Sequence, residues 1–173
     1  MRVRVQVLAV ALASTLAVGL QAQSPFKAGT NYIGPSVSLS SYGSSADFSG
    51  NFEHAINDKW GWGLSVGYFS YSFGDVDGYS YSVIPVAGTA AYHFDAHNEK
   101  LDPFVGGSVG IFIYSHSCPS DVPADLCSRG AQGSRPLIGG FGGVRYWTSD
   151  KLALVGRVGF GLGLLSVGVD FKM

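Results

Sequence analysis

From about residue 30 the chain alternates between apolar and small or polar positions. In WGWGLSVGY, residues Trp60, Trp62, Leu64, Val66 and Tyr68 fall on one face of an extended ribbon, and Gly61, Gly63, Ser65 and Gly67 fall on the other. The same sorting sets Ile84, Val86, Ala90, Tyr92 and Phe94 against Pro85, Ala87, Thr89 and His93, and Val105, Val109, Ile111 and Ile113 against Ser108, Gly110 and Tyr114. Leu152, Leu154, Val158 and Phe160 oppose Ala153, Val155, Arg157 and Gly159; at the end of the chain, Leu165, Val167, Val169, Phe171 and Met173 oppose Ser166, Gly168, Asp170 and Lys172. After the N-terminal leader, no stretch repeats at helical spacing over the length of a helix. The pattern predicts an all-β chain with strands near 30–39, 46–56, 60–73, 79–94, 103–115, 136–148, 151–160 and 163–173.

The connections alternate too. Asn57-Asp58-Lys59 and Ser149-Asp150-Lys151 are tight polar turns and 95–102 is a longer polar one; these alternate with 40–45, 74–78 and the long stretch 115–135. Eight strands with short turns at one rim and long loops at the other predict an antiparallel up-and-down barrel that crosses a membrane. The last hairpin departs from this, because Phe160 to Gly163 leaves almost no loop.

Alternation alone does not say which face is inside, since a soluble barrel binding an apolar ligand would show it with the greasy face inward. Three features favour apolar side chains outward. The polar face carries Glu53, Arg145, Arg157 and Asp170 but few of the Lys and Glu residues that solvate a sheet. Trp60, Trp62, Tyr92, Phe94, Phe104, Tyr146, Trp147 and Phe171 all lie beside the short turns, where an interfacial girdle belongs. Glycine is spread through the strands, which suits a small, strongly curved barrel. A chain end with one apolar face would then meet lipid on that face and pair with the first strand along its edge.

Residues 1–22 read as a secretory signal, with Arg2 and Arg4 before an apolar run from Val7 to Leu20 and a small residue, Ala22, at the cut. The run is shorter than the roughly 20 residues of a membrane span, and residues 23–173 form the single remaining domain. Export makes a disulfide between Cys118 and Cys127 the natural reading. A net charge of -1 excludes a broad basic surface for nucleic acid.

These features together resemble the small outer-membrane β-barrel proteins of Gram-negative bacteria, the OmpA-like, OmpX-like and opacity-type group of the porin family. The most specific part is the last strand, where Ser166, Gly168, Phe171 and Met173 are similar to the signal read by the barrel-assembly machinery. Many members end in Phe or Trp, whereas this chain ends Phe171-Lys172-Met173. The resemblance implies an outer-membrane location with periplasmic termini. It also implies outer-membrane lipid and lipopolysaccharide as surroundings, assembly machinery and periplasmic chaperones as transient partners, and a possible surface partner at the external loops.

Little in the sequence points to catalysis, to a metal or to a cofactor. Glu53, Arg145, Arg157 and Asp170 predict an ion-pair network filling the lumen, with a proton or ion path as the functional alternative. GLSVG around Ser65 and GGSVG around Ser108 match the nucleophile-elbow spacing but lie inside strands with no helix to follow. His116 and Ser117 invite comparison with outer-leaflet lipid A enzymes, though they are adjacent and lack a convincing carboxylate partner. His54, His93 and His97 have no metal-ligand spacing. Phe73 with Tyr79, Tyr71 with Tyr81 and Phe69 with Val83 predict a ladder across the GDVDG loop, projecting beyond the membrane as a possible contact surface. The expectation is a non-enzymatic barrel with a structural or surface role.

Overall fold

A computed structural model describes residues 25–39, 46–72, 80–117 and 133–173. The predicted signal segment 1–22, Cys118 and Cys127, and Phe73 and Tyr79 lie outside the described residues. Every regular element among those described is a strand: β1 (Asn31–Leu39), β2 (Ala46–Ala55), β3 (Trp60–Ser72), β4 (Ser80–His93), β5 (Leu101–Ser117), β6 (Gly133–Trp147), β7 (Leu152–Phe160) and β8 (Leu165–Lys172). Each pairs antiparallel with its neighbour in sequence, and β8 returns to β1 to close the barrel. Closure pairs Val37 with Val167 and Leu39 with Leu165, so the last strand has no free edge along this seam.

The orientation is the one the charges predicted. Val109 is 66% exposed on the outer wall and Ile138 74%, while Arg145 is 0% exposed in the lumen. The apolar face therefore looks away from the barrel axis.

The wall is not of even height. Pairing between β5 and β6 continues out to Tyr114 opposite Gly133, whereas β7 meets β6 only from Phe160 opposite Gly140. Strands β3 to β6 thus rise above β7 and β8 at the end away from residue 25.

Two apolar clusters block the lumen at different heights. At the rim that carries residue 25 and the end of β8, here the terminal rim, Phe26, Tyr32, Ala55, Trp147 and Ala153 pack together; at the distal end, Phe69, Val83, Ala87, Phe112 and Leu137 do so, with Leu162 from the last turn folded onto them. Phe26 comes from outside the strands. Gly29, at φ +76°, turns the chain into β1 and donates its N–H to the Ala55 carbonyl at 2.8 Å, while the Ala28 N–H donates to Asp58 Oδ1 at 2.9 Å. These bonds hold residues 25–30 across the rim as a stopper.

Candidate functional site

The charged lumen lies between these clusters. Strands β2, β4, β5, β6, β7 and β8 each contribute one inward-facing ionisable residue near the terminal rim: Glu53, His93, Asp102, Arg145, Arg157 and Asp170. Arg145 is the hub. Its Nε donates to Asp170 Oδ2 at 2.9 Å, its Nη1 to Asp102 Oδ2 at 2.8 Å and its Nη2 to Glu53 Oε2 at 2.7 Å. Its guanidinium also lies 4.5 Å from the centre of the Tyr32 ring, a cation–π contact.

His93 completes a ring of contacts with the hub. Its Nδ1 is 2.6 Å from Asp102 Oδ1 and its Nε2 is 3.0 Å from Glu53 Oε1. Asp102 and Glu53 thus each bridge His93 to Arg145 through their two oxygens. Both imidazole nitrogens face acceptors, and a hydrogen on each satisfies both contacts. In that form His93, Arg145 and Arg157 balance Glu53, Asp102 and Asp170, which removes the main cost of burying charge. The His93 ring also stacks on Phe26 at 3.6 Å with the planes 5° apart, and Phe104 flanks it at 5.4 Å.

Arg157 is held more loosely, with Nη2 3.9 Å from Asp170 Oδ2 and a side chain 20% exposed. It borders a cavity of about 60 Å³ whose lining includes Ser36, Ser49, Asn51, Ser65 and Thr89. Ser65 Oγ donates to Asn51 Oδ1 at 3.0 Å, Asn51 Nδ2 donates to Ser36 Oγ at 2.9 Å, and the Ser36 and Ser49 hydroxyls are 2.7 Å apart. A space of this size and polarity suits a few water molecules.

Two glycines make room for the network. A Cβ on Gly61 would collide with the Glu53 carboxylate, and one on Gly143 would come within 2.6 Å of the Phe104 ring. Gly61→Val is expected to force Glu53 off Arg145 and to cost about 1 to 3 kcal/mol, read from urea titration beside the outward-facing control Gly50→Val, whose Cβ meets nothing within 4 Å.

The comparisons with known proteins give the architecture its place. The chain is similar to the outer membrane protein OprG of Pseudomonas aeruginosa, with a TM-score of 0.62 and 13% identity over 85% of this chain and 97% of that one. It is also similar to the N-terminal β-barrel domain of OprF from the same organism, at a TM-score of 0.54 and 16% identity over 84% and 98%. Ail of Yersinia pestis, determined in a phospholipid bilayer nanodisc, gives 0.54 and 14% identity over 84% and 99%. The chain has the fold of the small eight-stranded outer-membrane barrels. At these identities the likeness is one of architecture, and no family model or curated protein matches the sequence.

Within this barrel type, the residues singled out from sequence fall as follows. Glu53, Arg145, Arg157 and Asp170 do converge in the lumen, and Asp102 and His93 join them. The polar pattern puts Asp102 in the turn 95–102, but β5 begins at Leu101 and carries it inward. His93 was assigned to the inner face without a role.

Six of the eight rim aromatics, Trp60, Trp62, Tyr92, Phe94, Tyr146 and Phe171, lie on the outer face; Trp60 packs edge-on against Tyr92, and Tyr92 against Phe94. Phe104 and Trp147 do not belong to that girdle: both are 5% exposed and point into the lumen. The reason is parity, because odd residues face outward on β5 and even residues on β6. Of the proposed assembly signal, Phe171 and Met173 face outward at 47% and 66% exposure, while Ser166 and Gly168 take the inward parity.

The hairpin ladder keeps its register, with Phe69 opposite Val83 and Tyr71 opposite Tyr81. Phe69 and Val83 turn inward into the distal cluster and so offer no external surface. Ser65 and Ser108 sit inside β3 and β5 facing the lumen, and His116 and Ser117 end β5.

Proposed function

We propose that this protein is a non-enzymatic outer-membrane barrel with a structural or surface-contact role, a lumen that passes no solute, and both termini in the periplasm. The observation that carries this reading is the stack of obstructions along one narrow barrel: the Phe26 stopper, the Arg145 network and the distal apolar cluster. A barrel of about eight strands has an interior that side chains can fill, and here they do. The apolar outer wall and the aromatic girdle at the terminal rim fit hydrocarbon and a headgroup interface. The architecture shared with OprG and OprF supports the location, while the role rests on this chain's own lumen and surface. Lipid and lipopolysaccharide then surround the wall, the assembly machinery and chaperones act during insertion, and surface partners meet the distal loops.

Tryptophan quenching tests the membrane reading. In single-tryptophan variants folded into vesicles carrying a brominated lipid, Trp60 and Trp62 are expected to be strongly quenched and Trp147 to be spared. Quenching of Trp147 alone, or of none of the three, overturns the assignment.

A further inference from the structure

All five lysines of the sequence, Lys27, Lys59, Lys100, Lys151 and Lys172, lie at the terminal rim, and three of them repeat one arrangement. Asn57-Asp58-Lys59 precedes Trp60, Asn98-Glu99-Lys100 precedes Leu101, and Ser149-Asp150-Lys151 precedes Leu152. In each turn the first residue's side chain accepts the lysine N–H, Asn57 Oδ1 at 2.9 Å, Asn98 Oδ1 at 2.9 Å and Ser149 Oγ at 3.5 Å. In each, the residue after the lysine opens a strand and is paired with a girdle aromatic: Trp60 with Tyr92, Leu101 with Tyr146 and Leu152 with Phe171.

The same ladder of chemistry therefore appears at three places around the circumference. Counting back from the strand, each turn has an aromatic or leucine residue, then a lysine, then an acidic residue. Lys59, Lys100 and Lys151 are exposed and none is in an ion pair with a described residue. Asp58 gives one oxygen to the Ala28 N–H and keeps the other. The other rim charges include Lys27, Lys172, which lies 5.7 Å over the Trp147 ring, and Asp95, which accepts the His97 N–H.

We infer that these three turns are binding sites for the headgroup of an ethanolamine phospholipid, an inference that rests on the membrane reading above. Such a headgroup places its phosphate next to the hydrocarbon and a primary ammonium further out. The lysine at the level of the interface meets the phosphate, as snorkelling lysines do. The carboxylate of the preceding residue accepts hydrogen bonds from the ammonium, which a trimethylated choline cannot donate and a glycerol headgroup does not carry as a charge. An equal number of acids and lysines in the three turns suits a zwitterion better than an anion.

The test uses full-length protein folded into vesicles of equal parts phosphatidylethanolamine, phosphatidylcholine and phosphatidylglycerol, extracted gently, with retained lipids counted by native mass spectrometry. Phosphatidylethanolamine is expected to be enriched about three- to fivefold over both others. Asp58→Asn with Glu99→Gln and Asp150→Asn is expected to abolish that enrichment and leave phosphatidylglycerol favoured; Lys59→Gln with Lys100→Gln and Lys151→Gln is expected to lose ethanolamine and glycerol lipids together. A gel shift between boiled and unboiled samples confirms that each variant folds. Retained lipids in bulk proportion, or phosphatidylglycerol favoured by the unaltered protein, overturns the inference while leaving the membrane reading intact. Failure of the unaltered protein to insert at all overturns the membrane reading itself.

Discussion

Arg145→Met is expected to destabilise the barrel by about 3 to 5 kcal/mol, the range for removing one partner from a buried charged network. The substitution keeps an unbranched side chain but strips Glu53, Asp102 and Asp170 of their shared cation, and those carboxylates are then left with His93 and the distant Arg157. Urea titration of vesicle-inserted protein, followed by tryptophan fluorescence, measures the loss. Arg157→Met is expected to cost less than half as much, because its only ion pair among the described residues spans 3.9 Å and its side chain is 20% exposed. A quadruple variant carrying Arg145→Met, Glu53→Gln, Asp102→Asn and Asp170→Asn should recover part of the loss, since it removes the stranded charges as well. If Arg145→Met stays within about 1 kcal/mol of the unaltered protein, the network is not the structural plug proposed.

Phe26→Ala carries the second large effect, about 3 kcal/mol, the lower end of the range for truncating a buried phenylalanine. Phe26 is fully buried and covers His93, with Tyr32 stacked at 5.3 Å and Trp147 beyond Tyr32 at 5.8 Å. Loss of the ring should also let water reach Trp147. In a chain whose other two tryptophans are replaced by phenylalanine, acrylamide quenching of Trp147 is expected to rise several-fold. Unchanged quenching would mean that the strands alone close this end of the barrel and that residues 25–30 are not a stopper.

Much of this architecture was legible because a strand has a period of two and a membrane barrel applies it on every strand. WGWGLSVGY and LSVGVDFKM state their faces residue by residue, and Glu53, Arg145, Arg157 and Asp170 could be placed together simply by lying opposite the apolar positions. The misplacements share a cause. Residue type and nearness to a turn put Phe104 and Trp147 in the girdle, whereas the parity of Val105 and Tyr146 beside them points both inward. Asp102 was hidden by its polar neighbours in DAHNEKLD, although Val105 fixes the parity of β5 and thereby its direction. Phe26 left no periodic trace at all: it precedes the first strand, and its place depends on Gly29, Asp58 and Ala55, which only the closed barrel brings near it.

The seam between β1 and β8 joins the two regions of the barrel most distant in sequence, so the entropy of loop closure makes it a late event in folding. Asp170 lies 25 residues from Arg145 on the β6–β7–β8 meander and Asp102 sits on β5 beside β6, so these three can meet through neighbour pairings alone. Glu53 is 92 residues away on β2 and reaches Arg145 only when the wall curls shut. Until the barrel closes, the Arg145 guanidinium lacks Glu53, one of its three carboxylates. Closure in the observed register supplies it; a slip of β2 by one residue would turn Glu53 toward the outside and leave the cation short. The buried cation therefore favours the closed ring in which strands far apart in sequence meet in step.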